Sequence, residues 1–260
     1  MAAKLFQTGF PAKVCPRSVR SGLAVALGFS LSLVTLLGTA FPAEAVVQSS
    51  VRNSVSFSCR DSEAVIRRKS GPVVAFGRSH IYAGYQQVSS DNQNPIVVRF
   101  DRGRRTWCRT DYETTGDDGK GYGLLWNGGN ALYAVFTATG SQGTAGQDYR
   151  RFSTRGWLSS YGSGGGPQVA VIARLNPNTG NPIAGTFLTG VLSSGRTNSL
   201  LVRELDWSDG RLTVTADSWY SPRRIDRQPM TCTGSSPFVY TLTLGANLSQ
   251  ASAATAERCL

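Results

Sequence analysis

The chain of 260 residues contains a single histidine, His80. That shortage excludes a metal centre built on two histidines, and it leaves a Ser-His-Asp triad only this one imidazole to use. No Gly-x-Ser-x-Gly elbow occurs, no lysine beyond residue 45 sits in a Ser-x-x-Lys motif, and no Gly-Lys-Ser/Thr follows the glycine-rich stretch at Tyr161–Gly166. Lysine itself is scarce past residue 45, where only Lys69 and Lys120 occur. None of the cysteines forms a CxxC pair, which argues against zinc. No stretch of 12 residues past the leader has helical periodicity, and no segment there is long and apolar enough to span a bilayer.

What is present begins with a leader. Lys4, Lys13, Arg17 and Arg20 precede an uncharged run from Ser21 to Ala43, and Ala43-Glu44-Ala45 ends it with the small-x-small pattern of a signal-peptidase site. Residues 1–45 therefore read as an export signal cleaved before Val46, and 46–260 as one all-β domain. The alternative is an uncleaved N-terminal anchor. Export across the inner membrane, to the periplasm or beyond, makes cysteine pairing meaningful. With Cys15 in the leader, Cys59, Cys108, Cys232 and Cys259 remain, enough for two disulfides in three possible pairings.

After residue 45 the chain carries 23 basic and 15 acidic side chains, a net charge of about +8 that is almost entirely arginine. Guanidinium groups offer a planar fork of donors matched to carboxylate, sulfate and phosphate. The expected partner is an anionic glycan or an envelope component, with no nucleic acid expected in that compartment, and no cofactor or metal is implied.

Short alternating segments recur between Gly, Asn, Asp and Ser clusters. Ser56–Arg60, Thr106–Arg109 and Gly185–Leu188 form one family. Val73–Phe76, Gly123–Trp126 and Arg203–Trp207 form a second, each ending in an aromatic residue. Polar turns follow at Gly77-Arg78-Ser79, Asn127–Asn130 and Ser208-Asp209-Gly210, and the chain re-enters a strand each time, as in hairpins. Ile96–Phe100, Val169–Leu175 and Val239–Leu244 close the units. The pattern predicts about 12 strands in three pseudo-repeats, at about 55–100, 105–175 and 183–245, with an insertion at about 139–167 and a C-terminal tail at 249–260. A small β-propeller-like ring is the preferred arrangement, closed by the segment near Cys59 beside Val239–Leu244. A β-trefoil and a β-sandwich are the alternatives. Loop closure favours Cys59–Cys108 and Cys232–Cys259, whereas equivalent positions in a ring would lie too far apart to bond and would favour Cys59–Cys259.

The stretches Val169 to Gly190 and Asn198-Ser199-Leu200 to Ser218, with the turn Ser208-Asp209-Gly210, resemble the bacterial β-propeller repeat. The region from Gly121 to Cys259 resembles uncharacterised exported proteins of cyanobacterial type, through Gly156-Trp157-Leu158, Gly185–Leu188, Asp217–Arg224 and Gly234–Phe238. This covers about two thirds of the exported chain. The resemblance implies a fold and export but no chemistry, so no catalytic residue carries over.

Three arginine–aromatic clusters are the candidate binding residues: Trp219, Tyr220, Arg223 and Arg224; Arg150, Arg151 and Trp157, with Arg155 beside them; and Arg104, Arg105 and Trp107. Rings beside guanidiniums stack on sugar faces while the charge holds an acidic group. Asp111, Glu113, Asp117 and Asp118 concentrate carboxylates, but their spacing does not fit a calcium loop and they read as a polar turn. His80 reads as a packed strand residue. Asp206 and Asp217 are the best-placed acids for carboxylate-only glycoside hydrolysis or lyase chemistry, the alternative to a non-enzymatic binding or scaffold protein.

Overall fold

In the computed structural model, residues 46–138, 143–162 and 168–260 are described. The expected leader, 1–45, and parts of the expected insertion, 139–142 and 163–167, lie outside them. The order of elements is β1 (Gln48–Val51), α1 (Glu63–Arg68), β2 (Val73–Phe76), β3 (Ser79–Gln87), β4 (Gln93–Asp101), β5 (Arg104–Arg109), β6 (Gly119–Trp126), β7 (Leu132–Ala138), α2 (Arg150–Ser153), β8 (Val169–Leu175), β9 (Pro182–Leu188), β10 (Gly190–Val191), β11 (Thr197–Asn198), β12 (Leu200–Ser208), β13 (Arg211–Ser218), β14 (Phe238–Gly245) and β15 (Ala251–Ala256).

The protein is all-β. Its antiparallel sheets run β2-β3-β4-β5, β1-β6-β7-β8-β9 and β12-β13-β14-β15, with a small β10-β11 ribbon, and none closes on itself. Turn chemistry sets the hairpins. Asp209 (φ 51°) and Gly210 (φ 73°) join β12 to β13 with Ser208 opposite Arg211, the two-residue turn whose twist matches the strands it links.

Apolar content decides the layering. Every residue of β7 is buried, and β6 and β8 are nearly so. Such strands need cover on both faces. Tyr133, Val135, Ala170 and Ile172 face one core with Val202, Leu212, Val214 and Leu242 of the β12–β15 sheet. Leu132, Ala134, Phe136, Val171 and Ala173 face a second core with Val74, Ile81, Ala83 and Val97 of the β2–β5 sheet. β13 alternates buried and partly open residues, so the far face of its sheet is solvated.

The far face of the β2–β5 sheet is covered by a third core, in which Ile66 of α1 and Phe57 pack on Tyr82, Ile96, Val98 and Phe100. α1 was not foreseen, because six residues are too few to display a helical period. Ser62 caps it by accepting from the Val65 N–H at 3.4 Å. Glycine at position 84 is what lets residues 55–57 cross so closely. A Cβ there would lie 2.2 Å from the Val55 carbonyl oxygen and 2.5 Å from the Phe57 ring.

Several expectations need correction. Ser56–Arg60 is no strand; it makes one isolated bridge, Ser56 to Tyr85, then turns. Thr106–Arg109 lies in β5 and Gly185–Leu188 in β9, so each is the last strand of its sheet rather than the first of the next unit. The stretch expected as a tail supplies β15, which occupies the place beside β14 expected for the segment near Cys59, while the N-terminal β1 pairs with β6. The disulfides are Cys59–Cys108 and Cys232–Cys259. The ring argument against the first pair fails because the two residues are not equivalent: Cys59 sits in the crossing loop and Cys108 in β5, with Cα atoms 5.8 Å apart. Within the expected insertion, Leu158 accepts from the Phe187 N–H at 2.9 Å and its N–H reaches Thr186 Oγ1 at 2.9 Å, covering the β9 edge.

Candidate functional site

The three arginine–aromatic clusters meet different fates. In β5, the Trp107 indole N–H donates to the Pro177 carbonyl at 3.0 Å and its ring lies against Gly180, where a Cβ would come within 2.7 Å. Arg105 donates to the Cys59 carbonyl, and Arg104 is exposed. Trp107 is therefore a clamp on the β8–β9 loop, with its indole N–H and part of its ring committed to that loop.

Around β13, Trp219 and Tyr220 line a cleft of about 460 Å³ with Gln168, Asn198 and Ser199, which brings no charge to it. Arg223 turns away from them. Its Nε donates to Thr189 Oγ1 at 3.1 Å and its Nη1 to the Arg227 carbonyl at 2.7 Å, while Tyr240 donates to its carbonyl at 2.8 Å. Burial lowers the pKa of this guanidinium. Arg224 pairs with Asp226 at 3.2 Å.

Around α2 the cluster also divides. Arg150 is held by Asp148 at 2.6 Å. Trp157 is only 4% exposed, and its indole N–H donates to the Ile225 carbonyl at 2.9 Å. Arg151, by contrast, stays at the surface, donating to the Asp111 carbonyl with its guanidinium 5.7 Å from the Phe152 ring centre.

Arg151 belongs to a cleft of about 660 Å³ that it shares with Arg155 and Arg174. Phe152, Ile183 and Asn247 complete the walls that matter, and no Asp or Glu is among the described residues lining it. Arg155 is exposed, and among the described residues neither it nor Arg174 has an ion-pair partner. Arg174 ends the inward row of β8 that begins with Ala170 and Ile172, where a register irregularity separates it from Leu175. Its Nε is buried without a hydrogen-bond partner among the described residues. A buried donor left unpaired costs about 1–3 kcal/mol, more for a charged group, unless something binds it. Across the ladder from Arg174, Tyr133 donates to the Ala246 carbonyl at 2.8 Å, fixing the β14–β15 turn that brings Asn247 to the rim. Burial pushes the Tyr133 phenol up to about 12, against the pull of the Arg174 charge, so it stays a neutral donor.

Sequence reasoning named Arg151 and mentioned Arg155, but it missed Arg174. The only signal was an arginine closing an otherwise apolar alternating strand, Val169–Leu175. The acids proposed for hydrolysis do not meet. Asp206 stands opposite Thr213, four residues along β13 from Asp217, or about 13 Å at strand rise, beyond the spacing that either class of glycosidase uses. Asp217 is paired with Arg203. In the acidic stretch, Asp111 pairs with Arg109 and Asp118 accepts from the Gln93 N–H at 2.9 Å. Among the described residues no His, Cys, Asp and Glu side chains are grouped to hold a metal ion.

No family model matches the chain, and no curated protein does. The resemblance to exported cyanobacterial proteins draws no support from either comparison. Among solved structures, BamB from Moraxella catarrhalis is similar over 73% of this chain at 9% identity with a TM-score of 0.22, and the chain spans 64% of that protein's length. A likeness that low carries no argument for fold or function.

Proposed function

We propose that this is an exported, non-enzymatic binding protein for an acidic polysaccharide or another anionic envelope component, and that its ligand lies in the cleft of Arg151, Arg155 and Arg174. The observation that carries this reading is three guanidiniums around one cleft with no carboxylate among its described lining, one of them holding a buried N–H with no partner among the described residues. Phe152 and the half-exposed Ile183 would meet the apolar face of a sugar ring while the guanidiniums take its carboxylate or sulfate. Two disulfides support the compartment, and no helix among the described residues is long and apolar enough to cross a membrane. We further read the three antiparallel sheets, two of four strands and one of five, as blade-like units of propeller kind, each sharing a core with its neighbour.

Electrophoresis through native gels cast with polygalacturonate or with neutral dextran tests the binding. Retardation in polygalacturonate alone, lost when Arg151 and Arg174 are both changed to Ala, is the expected result. Equal mobility in both gels would overturn the reading.

A further inference from the structure

A second cluster of charge lies on the covered face of the β2–β5 sheet, far in sequence from the arginines just described, and it contains the chain's only histidine. Glu63 of α1 is buried, with its side chain 8% exposed. Its Oε1 accepts from Arg67 Nη2 at 2.8 Å and from the Tyr82 hydroxyl at 3.0 Å. His80 Nδ1 lies 2.8 Å from the same oxygen, an ion-pair distance without hydrogen-bond alignment. One carboxylate oxygen thus gathers all three contacts.

In front of it lies a pocket of about 340 Å³ lined by Arg52, Arg67, His80, Tyr82, Gln48 and Ser70 among others. Arg52 is exposed and has no ion-pair partner among the described residues. Arg67 spends Nε and Nη2 on Tyr82 and Glu63, which leaves Nη1 for the pocket. Gln48 is held by its oxygen, which accepts from the Ala75 N–H at 2.7 Å, so its amide N–H groups remain to donate. The imidazole is about a third exposed. Among the described residues, Glu63 and Arg67 of α1, Tyr82 from its own strand and Arg52 from the segment after β1 stand around the pocket, with uncharged Ala75 and Phe100 opposite the imidazole on β2 and β4. Two arginines against one carboxylate leave a net positive pocket.

We propose that this pocket is a site for a small oxyanion, inorganic phosphate or the carboxylate of a sugar acid, clamped by Arg52 and Arg67 beside the His80 ring. Paired guanidiniums converging on one volume match the chemistry of both anions, and the volume admits either. The site is independent of the arginine cleft proposed above.

One histidine means one imidazole signal, so long-range ¹H–¹⁵N spectra of the labelled exported chain, carrying no polyhistidine tag, read this pocket alone. Sodium phosphate, sodium glucuronate and sodium chloride are titrated separately at matched ionic strength and one fixed pH. The expected result is a saturable shift with phosphate, glucuronate or both but not with chloride, weakened by about tenfold in Arg52→Gln. Which of the two anions saturates identifies the source. Equal shifts with all three salts, or unchanged saturation in Arg52→Gln, would overturn the proposal. The comparison of the three salts in the wild-type protein stands without any variant. The variant with Arg151 and Arg174 both changed to Ala should titrate like wild type. A lost imidazole response there would also overturn the proposal, whereas failure of the gel test alone would leave it intact.

Discussion

The Trp157 indole N–H donates to the Ile225 carbonyl at 2.9 Å, and the Trp157 backbone N–H donates to the Leu248 carbonyl at 2.7 Å. One buried residue from the segment ahead of β8 thereby fastens both the loop after β13 and the β14–β15 turn, the same turn that forms the rim of the arginine cleft. Trp157→Ala should destabilise the protein by about 3–5 kcal/mol, and Trp157→Phe, which removes mainly the N–H, by about 0.5–1.5 kcal/mol. Urea unfolding followed by circular dichroism measures both.

Arg223 is a loop brace, held by Thr189 and by the Arg227 carbonyl. Arg223→Ala should cost about 1.5–3 kcal/mol of stability, the worth of charge-assisted bonds, while leaving retention in polygalacturonate gels unchanged. Retention lost from a variant that is still folded would return Arg223 to the binding surface.

Glu113 is almost wholly buried and accepts from the Thr115 N–H at 2.6 Å, while its Oε2 has no hydrogen-bond partner among the described residues. Burial, joined by the charges of Asp148 and Asp118, raises its carboxyl pKa despite the Thr115 bonds. A raised value means that the folded state takes up the proton more readily than the unfolded chain does. Its contribution to stability is therefore complete below the unfolded value of about 4.3 and is lost as pH rises through the higher folded value. Glu113→Gln, which keeps an acceptor for Thr115, should be more stable than wild type at neutral pH, with the gain vanishing near pH ~4. Midpoints of urea unfolding at several pH values check the sign.

Much of the architecture was legible because a period of two and the chemistry of two-residue turns are local signals: β13, β14 and the Asp209-Gly210 turn stand out in the sequence. Which strand completes which sheet was not legible. Alternation in Gly185–Leu188 is the same whether the strand opens a sheet or closes one, and only the pairing of β9 with β8 decides it. β15 was hidden because Ala251–Ala256 is mostly alanine, with Thr255 its one β-branched residue and no aromatic to mark a strand. The site was half legible for a related reason. Arginine beside an aromatic residue is visible in sequence, but whether the guanidinium finds an internal carbonyl, as Arg223 does, or is left open, as Arg155 is, depends on loops meeting across the fold. Arg174 and the Glu63–His80 contact arise wholly from such meetings.

The most direct measurement is calorimetric titration of a defined acidic oligosaccharide into wild-type protein and into Arg174→Gln, at low and moderate salt. Binding should be saturable in wild type, weaker at higher salt, and reduced by about tenfold or more in the variant, as expected for the loss of a charged hydrogen bond. Identical affinity in the two proteins, or equal binding of a neutral oligosaccharide of the same length, would contradict the assignment of the cleft.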